Sequence, residues 1–313
     1  ERYDIIVDFS KFAPGSKLYF VNILEHKNGK KPNACIDLSS ILNETYIQGI
    51  HDPCVIKFLE FRVNAMDECF DVDHSIDPSI YELGGIPLIP IEPLKEDDIL
   101  NAKQRRFDFV QLSTNDWAIE TDNDNVLRTM DPRCVSAAPT IGDTELWHLE
   151  NAGNAWAHNI HIHFTEGKIL LRDGKLPPVW EQFSRKDVYR IGPTNFDGGD
   201  TSSKLLIGLQ FKDIPGNYMM HCHNTIHEDH AMLLRWDVQE ENCVYATPTA
   251  LPTWHGVGFM ESYTLPSYKT GMLSDNDDYR NPRAILKTLK RIEESVPNKL
   301  EGQIWVNGLG NKL

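Results

Sequence analysis

Three things are scarce in this 313-residue chain, and each scarcity excludes something. Basic residues are outnumbered, 31 against 46 acidic ones, for a formal net charge of -15. Such a chain lacks the basic face that neutralises phosphates, so nucleic acid is not expected as a partner, while cationic or neutral substrates suit it. Long apolar runs are missing as well. None approaches the roughly 20 residues of a membrane-spanning helix, and the longest suit buried strands. Cysteine is limited to Cys35, Cys54, Cys69, Cys134, Cys222 and Cys243, with no zinc-ribbon spacing. Internal repeats and low-complexity segments are lacking too. No charged-then-apolar leader stands at Glu1, so any signal peptide is expected upstream, with a secreted or periplasmic setting favoured.

What is present is a succession of short strands. The first residues, Glu1 to Ser10, alternate like a strand already paired in a sheet, and Leu18 to Asn22 and Val55 to Val63 read as two more. Three strands in about sixty residues make a marginal free-standing domain. Residues 1–65 are therefore expected to be the end of a β-domain. Residues 66–104 are acidic and rich in proline, which predicts an inter-domain linker. From Arg105 to Val238, nine further strands with turn signals between them predict an antiparallel sandwich or barrel over 105–240. Residues 239–280 read as irregular, and 241–313 as a tail. Within it Asn281-Pro282 opens a helix to about Val296, with Ile285, Leu289 and Ile292 as its packed stripe, and Gln303 to Val306 is a possible last strand.

The chemistry lies in two stretches. One is His158-Asn159-Ile160-His161-Ile162-His163; the other is His221-Cys222-His223 followed by His227 and Met232. On a strand, successive side chains point to opposite faces, so His221 and His223 share a face and Cys222 points away from them. His161 and His163 share a face in the same manner. A thiolate, two histidines and a long axial methionine are the donors of a blue-copper electron-transfer site. Cys222, His227, Met232 and His158, the last expected past a bend, supply that set. Four imidazoles from two adjacent strands suit further copper on the other side, a few bonds away.

The order H-x-x-H-x-H, then H-C-H-x-x-x-H-x-x-x-x-M, resembles the C-terminal domain of the multicopper oxidases, a family that includes laccases, bilirubin oxidases and ferroxidases. The opening Glu1-Arg2-Tyr3-Asp4 and the run His227-Glu228-Asp229 are similar to the bacterial spore-coat laccase branch. The resemblance covers residues 1–63 and about 105–238. It implies an all-β, cupredoxin-like Greek-key sandwich preceded by the end of another such domain. By position it implies that His158, Cys222, His227 and Met232 hold type 1 copper, that His161 is a type 2 ligand, and that His163, His221 and His223 serve the type 3 pair. Glu228 matches an acid that helps protonate reduced oxygen. Substrate would be oxidised one electron at a time beside His227, with Cys222 passing electrons on and dioxygen reduced to water. Ala157 stands where the family usually has proline, and Phe164 where glycine or leucine is common.

The family's cluster takes eight histidines, and the two motifs here offer four. The remaining histidines, His26, His51, His74, His148, His230 and His255, form no H-x-H pair. The expected partner is an N-terminal half, or a separate chain, carrying two H-x-H pairs, together with dioxygen and a small reducing substrate, phenolic or metal-ion. The rival readings are a single-copper electron-transfer cupredoxin, for which four extra histidines have no use, and a copper-storing fragment. Elsewhere the plain reading holds: lone histidines are surface or satisfied core residues, Trp147, Trp156 and Trp180 are core, and the helix near Arg283 is a solvated face.

Overall fold

The computed structural model describes residues 2–3, 5, 7–27, 31–35, 37–45, 57–65, 94–122, 124–152, 156–178, 181, 185–192, 204–212, 214–240, 249–265 and 282–293. Near the N-terminus lie β1 (Lys17–Phe20), β2 (Leu24–Lys27), β3 (Lys31–Cys35), α1 (Leu38–Leu42) and β4 (Leu59–Arg62). They form two small antiparallel ladders, β1 with β4 and β2 with β3. Phe9, Phe20, Phe58 and Phe61 pack together on the first, with neighbouring rings 5.1 to 6.1 Å apart. Within the stretch expected as linker, Glu96–Asn101 forms a helix, α2, whose first turn carries Glu96, Asp97 and Asp98 where the helix dipole favours acids. Residues 66–93 lie outside the described residues.

The body of the fold is a sandwich of two sheets. Its strands are β5 (Lys103–Gln111), β6 (Trp117–Thr121), β7 (Cys134–Ala137), β8 (Thr144–Asn151), β9 (His158–Ile162), β10 (Gly167–Arg172), β11 (Val188–Ile191), β12 (Lys204–Gln210) and β13 (Gly216–Cys222). After β13 come a short helix, α3 (Thr225–Asp229), then β14 (Leu233–Val238), β15 (Thr249–Thr253), β16 (Gly256–Met260) and β17 (Tyr263–Thr264). The first sheet runs β10-β12-β8-β5-β6 and the second β11-β9-β13-β14-β7-β17. Their facing sides bury Phe107, Phe109, Trp147, Leu149, Ile160, Ile162, Ile207, Leu209 and Trp236 in one core. A two-sheet sandwich is the architecture that the resemblance implied.

Three features differ from the sequence reading. The sandwich is mixed rather than antiparallel, because β5 pairs with β8, and β14 and β17 with β7, in parallel. The segment expected to be irregular contains the β15–β16 hairpin and β17, which extends the second sheet along β7. The tail helix, α4 (Pro282–Glu293), is also no free appendage. Its Ile285 and Leu286 pack with Ile99 of α2 on Leu146, Leu171 and Leu206, the outer side of the first sheet. A parallel pair in the middle of a sheet is ordinarily covered on both sides, and here the second sheet covers one side and two helices the other. Leu289, Ile292 and Gln303 to Val306 lie outside the described side chains.

Buried ion pairs sit inside this framework, among them Arg105–Glu145 and Arg235–Asp237. Arg105 holds Glu145 through two hydrogen bonds of 2.6 and 3.0 Å, and the indole Nε1 of Trp147 donates to the same carboxylate at 2.7 Å. Both charged side chains are buried. Removing one partner of such a pair leaves an uncompensated charge, which costs more than the pair itself contributes. Glu145→Gln is therefore expected to lower unfolding free energy by about 3–5 kcal/mol, while Arg105→Met with Glu145→Leu costs much less, measured by denaturant unfolding.

Candidate metal centres

Strands β9 and β13 meet in antiparallel register with His221 opposite His161 and Cys222 opposite Ile160. Along β9, burial alternates: His158, Ile160 and Ile162 point into the core, while Asn159 and His161 point out. His158 and His161, three apart on one continuous strand, thus lie on opposite faces without the bend expected before His161. Cys222 shares the inward face with Met220, and its amide donates to the carbonyl of Met232 at 3.1 Å. Between them, α3 is capped by the Asn224 side chain, which accepts from the Ile226 amide at 3.2 Å. The helix carries His227 back into the core. The chain leaves it through Ala231 at φ 74°, a left-handed conformation unusual for a residue with Cβ, and this turn returns Met232 to a place beside Cys222.

On the inner face, Nδ1 of His158 and Nδ1 of His227 lie 3.0 Å apart, and each is 3.5 Å from Cys222 Sγ. A point equidistant from the three lies about 2 Å from each, a metal–nitrogen bonding distance. All three side chains are buried. Burial, with the neighbouring His227, pushes His158 down to about 3; burial, with His230, pushes His227 down to about 4. Both imidazoles are thus neutral near pH 7, with lone pairs to give. Burial pushes the Cys222 thiol up to about 11, so a metal held there displaces its proton. One thiol and two neutral imidazoles, dry and converging, fit a copper ion of the blue type. Met232 is buried beside them.

The expectation that His227 offers an exposed edge to substrate is not met. Its side chain has no exposed surface. The indole of Trp117 covers it at a tilt, with ring centroids 3.8 Å apart at 30°, and Trp156 meets it edge-on at 4.9 Å. The Trp156 carbonyl accepts from Asn151 Nδ2 at 2.6 Å. That amide packs against Gly192, at φ 68°, where any Cβ would collide with it. Trp117 reaches the site from β6, and the sequence carried no signal of it.

On the outer face, ligand atoms of His161, His163 and His221 lie within 4.8 Å of one another, the Nε2 atoms of His163 and His221 3.0 Å apart. Burial and the neighbouring imidazoles hold His163 below its ordinary range, and burial does the same for His221 against the opposing pull of Glu228. The distal nitrogens are anchored by acceptors. His161 Nδ1 is 3.0 Å from the carbonyl of Asp187, and His221 Nδ1 is 3.3 Å from both the Cys222 carbonyl and the Glu228 carboxylate. Protonation at Nδ1 leaves Nε2 free to bind metal. His223 stands beside this group, its ring 5.4 Å from His221 and 5.7 Å from His161, but it is exposed and outside the converging three. Phe164 follows His163 at φ 71° and stacks on Tyr218, centroids 4.6 Å apart, so an aromatic contact accompanies the strained backbone there.

Among the other candidates, His148 is a buried residue bonded to Gln104 at 2.8 Å, and His230 and His255 are exposed. Cys134 is a buried free thiol. Cys54, Cys69, Cys243, His51, His74 and Trp180, and the side chains of His26 and Cys35, lie outside the described residues.

Residues 97–242 match the family described as multicopper oxidase. The chain is 36% identical over 97 residues to a bilirubin oxidase of Albifimbria verrucaria, covering 30% of this chain and 15% of that protein. It is 33% identical over 121 residues to the multicopper oxidase mco of Staphylococcus haemolyticus, covering 37% and 25%. A laccase of Haloferax volcanii is 31% identical over 119 residues, covering 35% and 19%. The chain thus matches a quarter or less of each of these relatives. Among solved structures, a multicopper oxidase from Pediococcus acidilactici aligns over 75% of this chain and 38% of its own, at 15% identity and a TM-score of 0.44.

Two outcomes follow for the inner site. Since His158 and His227 are held near pH 3 and 4 when folded but titrate near 6.5 when unfolded, the unfolded chain binds more protons across that interval. Metal-free protein is therefore expected to lose stability as pH falls from about 6.5 towards 4, by up to about 1.4 kcal/mol per pH unit per histidine, read from denaturant unfolding at stepped pH. His158→Gln should flatten part of that slope.

Proposed function

We propose that this chain, whose residues 97–242 match the multicopper oxidase family, is the part of such an oxidase in which a reducing substrate gives up electrons one at a time and passes them towards dioxygen. The observation that carries the reading is the back-to-back arrangement across the paired strands β9 and β13: a buried Cys222 with two converging histidines on one face, and three further converging imidazoles on the other. Copper, when bound, supplies one-electron redox chemistry at the inner donors and the reduction of oxygen to water at the outer ones.

The residues divide that work. His158, Cys222 and His227 would form the inner donor set, with the thioether of the buried Met232 as a further, weaker donor. Burial keeps water out of this set, and neutral imidazoles need no proton removed before binding. Cys222 is joined to its two neighbours by a few backbone bonds. A second, shorter link runs from its carbonyl to Nδ1 of His221 at 3.3 Å. His161, His163, His221 and His223 are the outer donors contributed by this chain, with His161 in the type 2 role and the others serving the type 3 pair. Two H-x-H pairs from an N-terminal half or partner chain complete that cluster. Glu228, on the face of α3 towards the cluster, shares a proton with His221 Nδ1 and delivers protons as oxygen is reduced.

The substrate is a small reductant, phenolic or a metal ion, approaching the Trp156 side of the inner site rather than His227 itself. The three converging outer histidines favour this reading over a single-copper electron carrier.

Copper loading of the chain should give an intense blue absorption that Cys222→Ser abolishes. Dioxygen uptake with a phenolic dye should require a polypeptide that supplies the two H-x-H pairs; sustained uptake by this chain alone would refute the divided cluster. Glu228→Gln in the complete assembly should keep copper and colour yet slow oxygen reduction by about 10²-fold or more.

A further inference from the structure

We propose that Arg2 is a positioning residue for His161: by pairing with the Asp187 carboxylate it keeps that carboxylate off the ring and leaves the Nδ1 proton of His161 on the neutral main-chain carbonyl of Asp187. The inference deepens the oxidase reading, on which His161 is a metal ligand.

The geometry is a contest for one oxygen. Arg2 Nη1 lies 2.6 Å from Asp187 Oδ2. His161 Nδ1 lies 3.6 Å from that same oxygen, beyond hydrogen-bond range, but 3.0 Å from the Asp187 carbonyl. That carbonyl also accepts from the Ile162 amide at 2.9 Å, so its two lone pairs serve adjacent residues of β9. Without Arg2, the ring stands 3.6 Å from Oδ2, close enough for a small side-chain shift to bring the two into hydrogen-bond range.

The arginine is held where it must be. Its own carbonyl accepts from Lys186 Nζ at 3.0 Å, the same ammonium sits 4.2 Å over the Tyr3 ring, and the Tyr3 hydroxyl reaches Glu181 at 3.4 Å. Lys186 is buried and fixed by a two-way main-chain bridge to Gly167. Arg2 and Tyr3 are thereby held beside Lys186 and Asp187, at the start of β11 and next to His161.

As an ion pair this contact contributes little stability, since Arg2 is mostly exposed. Its effect lies in what it withholds. A carboxylate accepting the distal N–H of a ligating histidine makes the ring a more basic ligand; a carbonyl does so less. Arg2 thus selects the weaker acceptor for His161, while His221 keeps a carboxylate, Glu228, at 3.3 Å.

The test is a mutant cycle on the full chain, metal-free, followed by imidazole nitrogen and proton NMR, with amide spectra confirming the fold in each variant. In Arg2→Met the His161 Nδ1 proton should move downfield and exchange more slowly. Arg2→Lys and Asp187→Asn should each stay near the parent, and Arg2→Met with Asp187→Asn should return to it. Titration with zinc(II), a diamagnetic probe, should show Arg2→Met binding at the outer histidines about tenfold more tightly, and the double variant unchanged. An unmoved resonance in Arg2→Met, or a shift that persists in the double variant, would overturn the proposal. If the NMR cycle behaves as expected but copper is not taken up, the oxidase reading fails and the Arg2 role stands; if copper binds and dioxygen is consumed while the cycle is flat, only the Arg2 role fails.

Discussion

The arrangement depends on one register, that of β9 against β13. With His221 opposite His161, every other residue of each strand faces the same way, so Cys222 and His158 are committed to the core and His161 and His221 to the outside. A slip by one residue would reverse every one of these assignments. What guards the register is the apolar packing between the donors. Ile160, Ile162 and Met220 are fully buried on the inward face, and a slip would expose them while burying imidazoles without partners. The same hydrophobic residues that close the sandwich therefore segregate the two donor sets.

Desolvation then sets the chemistry of each set. The inner imidazoles are buried and neutral, and they meet through Nδ1. Of the outer ones, His161 and His163 are half-buried and His221 is buried; His163 and His221 meet through Nε2, and Nδ1 of His161 and of His221 is turned towards an acceptor. Among the described residues no carboxylate hydrogen-bonds the inner imidazoles, whereas Glu228 and Asp187 stand behind the outer ones. The difference follows from position: carboxylates can be hydrated at the edge of a sheet but are costly inside it.

Much of this was legible in the sequence, because alternation with period two is a local property. The spacing of His158, His161 and His163, and of Cys222 between its neighbours, is enough to sort the donors onto two faces. The bend invoked for His158 was unnecessary for the same reason, since a spacing of three already crosses the sheet. What escaped was non-local. The parallel pairing of β5 with β8 joins segments some forty residues apart, and no periodicity encodes which strands become neighbours. The β15–β16 hairpin hides behind Pro252 and two glycines, residues that ordinarily argue against a strand. The burial of His227 depends on an indole from β6, and Asp187 reaches His161 from β11.

The indole laid over His227 bears on how selective such a centre can be. On the proposed reading, a reductant halted at Trp156 would make no bond to the inner donors, and would be discriminated by its redox potential and by how closely its orbitals approach an aromatic wall. Outer-sphere transfer of that kind would tolerate many molecular shapes, so the covering of His227 by the two indoles would favour breadth of substrate over shape selection.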